Sequence, residues 1–184
     1  MARTIVDKIM NRIRLVSKEI TWGKKGKNSK VIKPMRIVGK KNIYIGDNVI
    51  ILNNARLETV VGEWGGIRYD GGLYIGNGTS IEQCCHIVAA GILKIGEDCV
   101  FSADVYISDC AHQYDRGKKI REQELSVKKT TIGNGVFIGI GARIMPGVEI
   151  SDNSIIGANA VVTHNVPEGA IVAGIPARII GYNE

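Results

Sequence analysis

From Ile45 onward the chain returns every sixth position to an aliphatic residue, or once to Phe, and that period leaves few architectures open. Ile45, Ile51 and Leu57 open the hexads IGDNVI, ILNNAR and LETVVG. The register resumes with IGNGTS, IEQCCH and IVAAGI at Ile75, Ile81 and Ile87, passes over Leu93 and Lys94, and continues with IGEDCV, FSADVY and ISDCAH from Ile95. Six further hexads run from Ile132 to Pro167. A fixed internal repeat marks a stacked architecture. One hexad supplies a short strand and a turn, and three make an 18-residue circuit of a three-sided parallel β-helix. First-position side chains point inward and stack on the next coil, about 4.8 Å away.

Fifth positions are small or β-branched, as a narrow interior requires. They include Val49, Ala55, Val61, Thr79, Cys85, Gly91, Cys99, Val105, Ala111 and Val136. Gly, Asn and Asp fill positions two to four, where tight corners need unusual backbone angles. Upstream, Val31, Ile37 and Ile43 keep the fifth-position period, which predicts a first irregular coil near residue 27. Ten aromatic residues in 184 are too few for an aromatic core, so the interior is one of stacked aliphatics.

Residues 3–20 read differently. Ile5, Val6, Ile9, Met10, Ile13, Val16 and Ile20 follow helical spacing, which predicts an amphipathic helix covering the open end of the stack. Gly23 to Lys30 reads as a flexible link, giving a lead-in of residues 1–26 and a β-helix domain of residues 27–184. Two stretches leave the register, 63–74 and 113–131, and the second is long and highly charged. Loops of that length in a compact domain are usually functional or disordered.

Charge is uneven. Residues 1–41 hold 13 Lys/Arg against two acidic residues, whereas residues 42–184 hold 11 against 16. A solvated lead-in is favoured over membrane contact, and no nucleic-acid-binding motif accompanies the charge. No apolar run is long enough to span a membrane, and the first residues lack a secretory apolar region, so a cytoplasmic location is expected. Cys84, Cys85, Cys99 and Cys110 match no zinc spacing and read as structural thiols.

With the hexads in view, the segment TIGNGVFIGIGARIMPGVEISDNSIIGANAVVTHNVPEGAIVAGIPARIIG, Thr131 to Gly181, is the most specific part of the chain. Over about residues 40–180 the sequence resembles the hexapeptide-repeat acyltransferases, most nearly the galactoside, maltose and surface-polysaccharide O-acetyltransferases. The resemblance implies an all-β, left-handed parallel β-helix with an N-terminal α-helix and one long protruding loop. Its hand comes from the resemblance, because ordinary crossovers are right-handed. It also implies acetyl-CoA as acyl donor, no metal, and a homotrimer with active sites between subunits.

Acyl transfer from a thioester needs a base for the nucleophile's proton and a donor for the developing oxyanion. Imidazole suits the first task, and the chain has three histidines. His112 ends the hexad ISDCAH at the lip of the long loop, where the family carries its catalytic histidine. The Asp-His-x-His of surface-polysaccharide members is here Asp109-Cys110-Ala111-His112. Asp109 has two readings, orienting the imidazole or touching the acceptor, and facing solvent at a corner. His86, with no loop beside it in sequence, reads as structural. By the resemblance, Glu82 takes the place of an acceptor-holding Asn, and Phe137 that of a Trp against the pantetheine arm. Backbone amides near Ile140 and Gly141 meet the thioester end. Ala158 and Thr163 match pantetheine contacts, Arg178 lies near the coenzyme phosphates, and His164 is either a phosphate contact or solvent-facing. The reading is an acetyl-CoA-dependent O-acetyltransferase acting on a sugar or glycan hydroxyl, with His112 as general base. An amino-sugar N-acetyltransferase stays open beside it. A non-catalytic scaffold is disfavoured by the histidine and the loop.

Overall fold

The structure, a computed structural model, describes residues 21–183. The helix expected over residues 3–20 lies outside them. Three parallel sheets form the faces of a prism. Face A stacks strands Lys24–Lys25, Ile43–Ile45, Gly72–Ile75, Ile92–Ile95, Thr130–Ile132 and Glu149–Ile150. Face B stacks Lys30–Val31, Ile50–Ile51, Ser80–Ile81, Val100–Phe101, Phe137–Ile138, Ile155–Ile156 and Ala170–Gly174, and closes on an antiparallel strand, Ala177–Tyr182. Face C stacks Arg36–Val38, Arg56–Thr59, His86–Ala89, Tyr106–Ser108, Arg143–Ile144 and Val161–Val162.

The expected first-position residues form the interior. Ile51, Ile81, Phe101, Ile138 and Ile156 make one continuous ladder on face B, and all are fully buried. Cys85 and Cys99 lie inside among the fifth-position residues. Burial pushes the Cys85 thiol up to about 11 and the Cys99 thiol up as well. Corners use the left-handed region that the Asn-, Asp- and Gly-rich hexads anticipate: Asn48, Asn54, Asn153 and Asn159 have φ of 58°, 60°, 57° and 55°. Asn tolerates this conformation because its short polar side chain bonds locally.

Several expectations need correction. Val61, Gly91 and Ala111 are not interior residues: Val61 and Ala111 are exposed and Gly91 is half-buried. Each falls where face C hands over to face A, and there the chain leaves the coil before the sixfold count is complete. Circuits of 18 residues hold near the C-terminus, as in Ile138 to Ile156, but Ile75 to Ile95 takes 20. The extra pair adds a second buried file on face A, Ile43, Leu73, Leu93 and Thr130, so Leu93 is a core residue. Finally, Gly23–Lys30 is no flexible link. Lys24 and Lys25 pair with Tyr44 and Ile45, and Lys30 and Val31 pair with Ile50 and Ile51. Val31 and Ile37 join the first-position ladders, not the fifth.

The corners separate the edges of the prism sharply. Each connection from face A to B and from B to C along the stack has four residues, from 26–29 and 32–35 to 151–154 and 157–160. Connections from face C to A are 39–42, 60–71, 90–91, 109–129 and 145–148. All the variation in length sits on this one edge. Both excursions leave there, three to four residues earlier than the register suggests, and each folds into an antiparallel hairpin: Val61–Trp64 with Ile67–Asp70, and Cys110–His112 with Leu125–Val127.

Candidate active site

The two excursions brace each other. The Leu125 N–H donates to the Tyr69 hydroxyl at 2.8 Å, and Tyr69 is buried. Gly65, at the first hairpin's turn, sits so close to Gln123 that a Cβ there would lie 2.4 Å from its backbone. Leu125 is the cross-strand partner of His112, so Tyr69 holds the strand that holds the histidine. The Trp64 and His112 rings lie 5.5 Å apart at a 51° tilt.

Asp109 clamps the neck of the second excursion. Its carboxylate is buried and accepts the N–H groups of Ala90 and Gly91 at 2.7 and 2.9 Å, and its carbonyl accepts the Lys128 N–H at 2.8 Å. Burial raises its pKa and the amide bonds oppose that rise. The carboxylate is therefore engaged by the corner below and does not face solvent.

His112 stands between two clefts that share Ala111, Met145 and Pro146. One, of roughly 530 Å³, has Trp64, Leu125 and Val88 as apolar walls and Arg56, Glu58 and His86 as polar lining. The other, roughly 550 Å³, runs past Tyr114 and Lys128 to Thr163. Beyond Thr163 lies a third, roughly 340 Å³, flanked by His164 and Arg178. Thr163 Oγ1 is 2.9 Å from His164 Nδ1. A shallow concavity of roughly 800 Å³ on face A contains none of the candidate residues.

His86 lines the same cleft as His112, which the sequence hid, because a hexad count does not say toward which coil an excursion bends. Its ring meets Tyr106 edge-on at 5.3 Å, and its Nε2 is buried without a partner. Burial, and then the Arg56 charge, hold its pKa below 6.5. Arg56 donates to Glu58 at 2.7 Å, and Arg36 lies 3.0 Å from the same carboxylate. The Glu58 bond, more than any other contact, raises the Arg56 pKa.

The remaining expected residues lie elsewhere on the chain. Glu82, Ile140, Gly141 and Ala158 occupy corners between faces B and C, the edge opposite His112 across face C. Phe137 stands outward on face B. The Gly141 N–H is committed to the Ala103 carbonyl at 3.0 Å, so of this pair Ile140 has the amide to offer. One chain thus carries the expected site residues as two groups, one running from His112 on the C–A edge to His164 and Arg178 at the closing end of the stack, the other along face B and the B–C edge.

Residues 129–164 match the family model for the bacterial transferase hexapeptide in six repeats. The match covers that stretch of hexapeptide repeats. The galactoside O-acetyltransferase of Escherichia coli (strain K12) is 33% identical over 112 residues, 61% of this chain and 55% of that protein. The chain spans 55 to 65% of the length of that and two further curated relatives. Among solved structures, the fold is shared with a maltose O-acetyltransferase from Clostridium difficile 630 (TM-score 0.55, 24% identity, covering 89% of this chain and 71% of that one). It is shared as well with a mutant form of an N-acyltransferase from Bacillus cereus, in complex with dTDP-4-amino-4,6-dideoxyglucose and coenzyme A (TM-score 0.63, 19% identity, 93% and 89%).

Proposed function

We propose that this hexapeptide-repeat chain is an acetyl-CoA-dependent O-acetyltransferase of a sugar or glycan hydroxyl, wound as a left-handed β-helix and acting in the cytoplasm. The observation that carries the reading is the place of His112, between a cleft with polar lining and a track leading to His164 and Arg178. The acceptor occupies the first and the donor the second. Acetyl-CoA supplies an activated acetyl thioester. His112 takes the proton of the acceptor hydroxyl as its oxygen attacks the thioester carbonyl. The Ile140 N–H of a neighbouring copy holds the oxyanion, and the imidazolium returns its proton to the departing thiolate. Arg178 and His164 face the coenzyme phosphates.

A homotrimer completes the site. The two sets of residues meet when the edge carrying His112 in one copy abuts the edge carrying Ile140, Ala158 and Glu82 in the next, a heterologous contact that closes into a ring. Face B supports this. Ile50, Val100 and Phe137 stand outward in one file at about 42% exposure, with Ser80 between the first two, a mostly apolar file on a sheet of a kind usually covered on both sides.

An amino-sugar N-acetyltransferase is the second reading, favoured by the Bacillus cereus structure with its amino-sugar nucleotide. A panel of hydroxyl and amino sugars, assayed with acetyl-CoA and read as released thiol, separates the two. His112→Ala is expected to lower turnover by about 10²- to 10⁴-fold. Near-wild-type turnover by that variant on a verified acceptor refutes the assignment.

A further inference from the structure

The first excursion carries a residue that acyl transfer as such does not require. Trp64 closes the strand Val61–Trp64, just before the turn formed by Gly65 and Gly66, whose φ values are 60° and 81°. Positive φ at both positions favours glycine, and the turn sends the chain straight back along Ile67–Asp70. The hairpin is held at its tip by the close approach of Gly65 to Gln123 and along its return strand by Tyr69 against Leu125. The hairpin that carries Trp64 is therefore braced on both sides, while the residue itself stays 38% exposed. It faces the cleft beside the His112 ring, and Arg56, Glu58 and His86 lie in the same cleft.

An indole on a braced hairpin at a cleft wall, with charged and hydrogen-bonding groups beside it, has the two halves of a pyranose binder. A pyranose ring presents an apolar face of C–H bonds and a rim of hydroxyls. The face lies on the aromatic ring, and the rim reaches the polar groups. We propose that Trp64 is the platform on which a pyranoside acceptor lies, with Arg56, Glu58 and His86 reading its hydroxyl rim and the reacting hydroxyl turned toward His112. This rests on the acetyl-transfer reading above and narrows its acceptor to a cyclic sugar. Ring closure matters because an acyclic polyol has no flat apolar face to lay on the indole.

The test uses the full chain. Trp64→Ala is expected to raise the KM for the best pyranoside of the acceptor panel about tenfold or more, with the KM for acetyl-CoA within about twofold, since each tenfold needs 1.4 kcal/mol of lost contact. Trp64→Phe, which keeps an aromatic face, restores most of the loss. Trp22 and Trp64 are the two tryptophans. In a Trp22→Phe background, Trp64 emission therefore reports its own surroundings, and it is expected to shift on titration with the pyranoside, saturating near the KM. An unchanged acceptor KM in Trp64→Ala overturns the proposal, as does a fall confined to kcat, which marks a residue that merely packs against His112. If no hydroxyl sugar is acetylated, the transfer reading fails first. The emission titration against the same pyranosides still decides the platform, and a flat response overturns it.

Discussion

Face C is bounded by two edges of opposite character. On the B–C edge successive corners are four residues long, fitted backbone to backbone: a Cβ on Gly139 would lie 2.7 Å from the Ala158 nitrogen. On the C–A edge the connections run from two residues to twenty-one, and the longest carry hairpins tied down through side chains, Tyr69 to the neighbouring hairpin and Asp109 to the stack. The difference teaches a division of labour. A uniform edge repeats one geometry at every coil, whereas an edge free in length can shape the clefts on both sides of His112.

That contrast can be broken at several places. The largest effect is expected from the core that both edges share. Phe101 is fully buried on face B, so Phe101→Ala is expected to cost about 3–5 kcal/mol in urea denaturation, while His112→Ala, on the free edge, stays within about 0.5 kcal/mol of wild type. Equal losses would mean that the second excursion folds with the stack. An intermediate effect separates two glycines with the same backbone demand. Gly141 (φ 71°) on the B–C edge would bring a Cβ to 2.2 Å from Asn159 Oδ1, whereas Gly117 (φ 84°) in the second excursion meets nothing within 4 Å. Gly117→Ala is expected to cost about 1–2 kcal/mol from strain alone, and Gly141→Ala measurably more. Matching midpoint shifts would show that the packed corner yields as easily as the loop.

The smallest effect concerns His86. Its folded pKa lies below the 6.5 of an ordinary histidine, so between those values the unfolded chain binds more protons and stability falls as pH falls. His86→Gln is expected to flatten the denaturation midpoint between about pH 7.5 and 5. A slope identical to wild type would place the pH dependence elsewhere.

The ladders were legible because first-position residues have no freedom. Ile45, Ile75 and Ile95 must point inward in any three-sided coil, and the six-residue count finds them. The count failed where the backbone is free. It ran through the C–A corners and placed Val61 and Ala111 inside, since a side chain does not announce that the chain has turned out of the coil. Gly23–Lys30 looked like a linker because Gly, Lys, Asn and Ser also compose linkers. Yet Asn28, with φ of 58°, repeats the corner geometry of Asn48, and the partner strand that holds it lies 20 residues away. At the candidate site, His112 and its loop were readable from their place in the hexad. The nearness of Trp64 and His86 was not, because it depends on how two hairpins lean.

The four-residue corners also bear on how such a chain can change. An insertion in a B–C corner would push every later coil out of step with its neighbours. An insertion between Thr59 and Gly72, or between Ser108 and Thr130, returns to the same ladder positions whatever its length. Closing a longer loop costs little, about 0.6 kcal/mol for each doubling. The C–A edge therefore works as a docking port for sequence: hairpins can be exchanged, lengthened or borrowed there while the rest of the prism keeps its register.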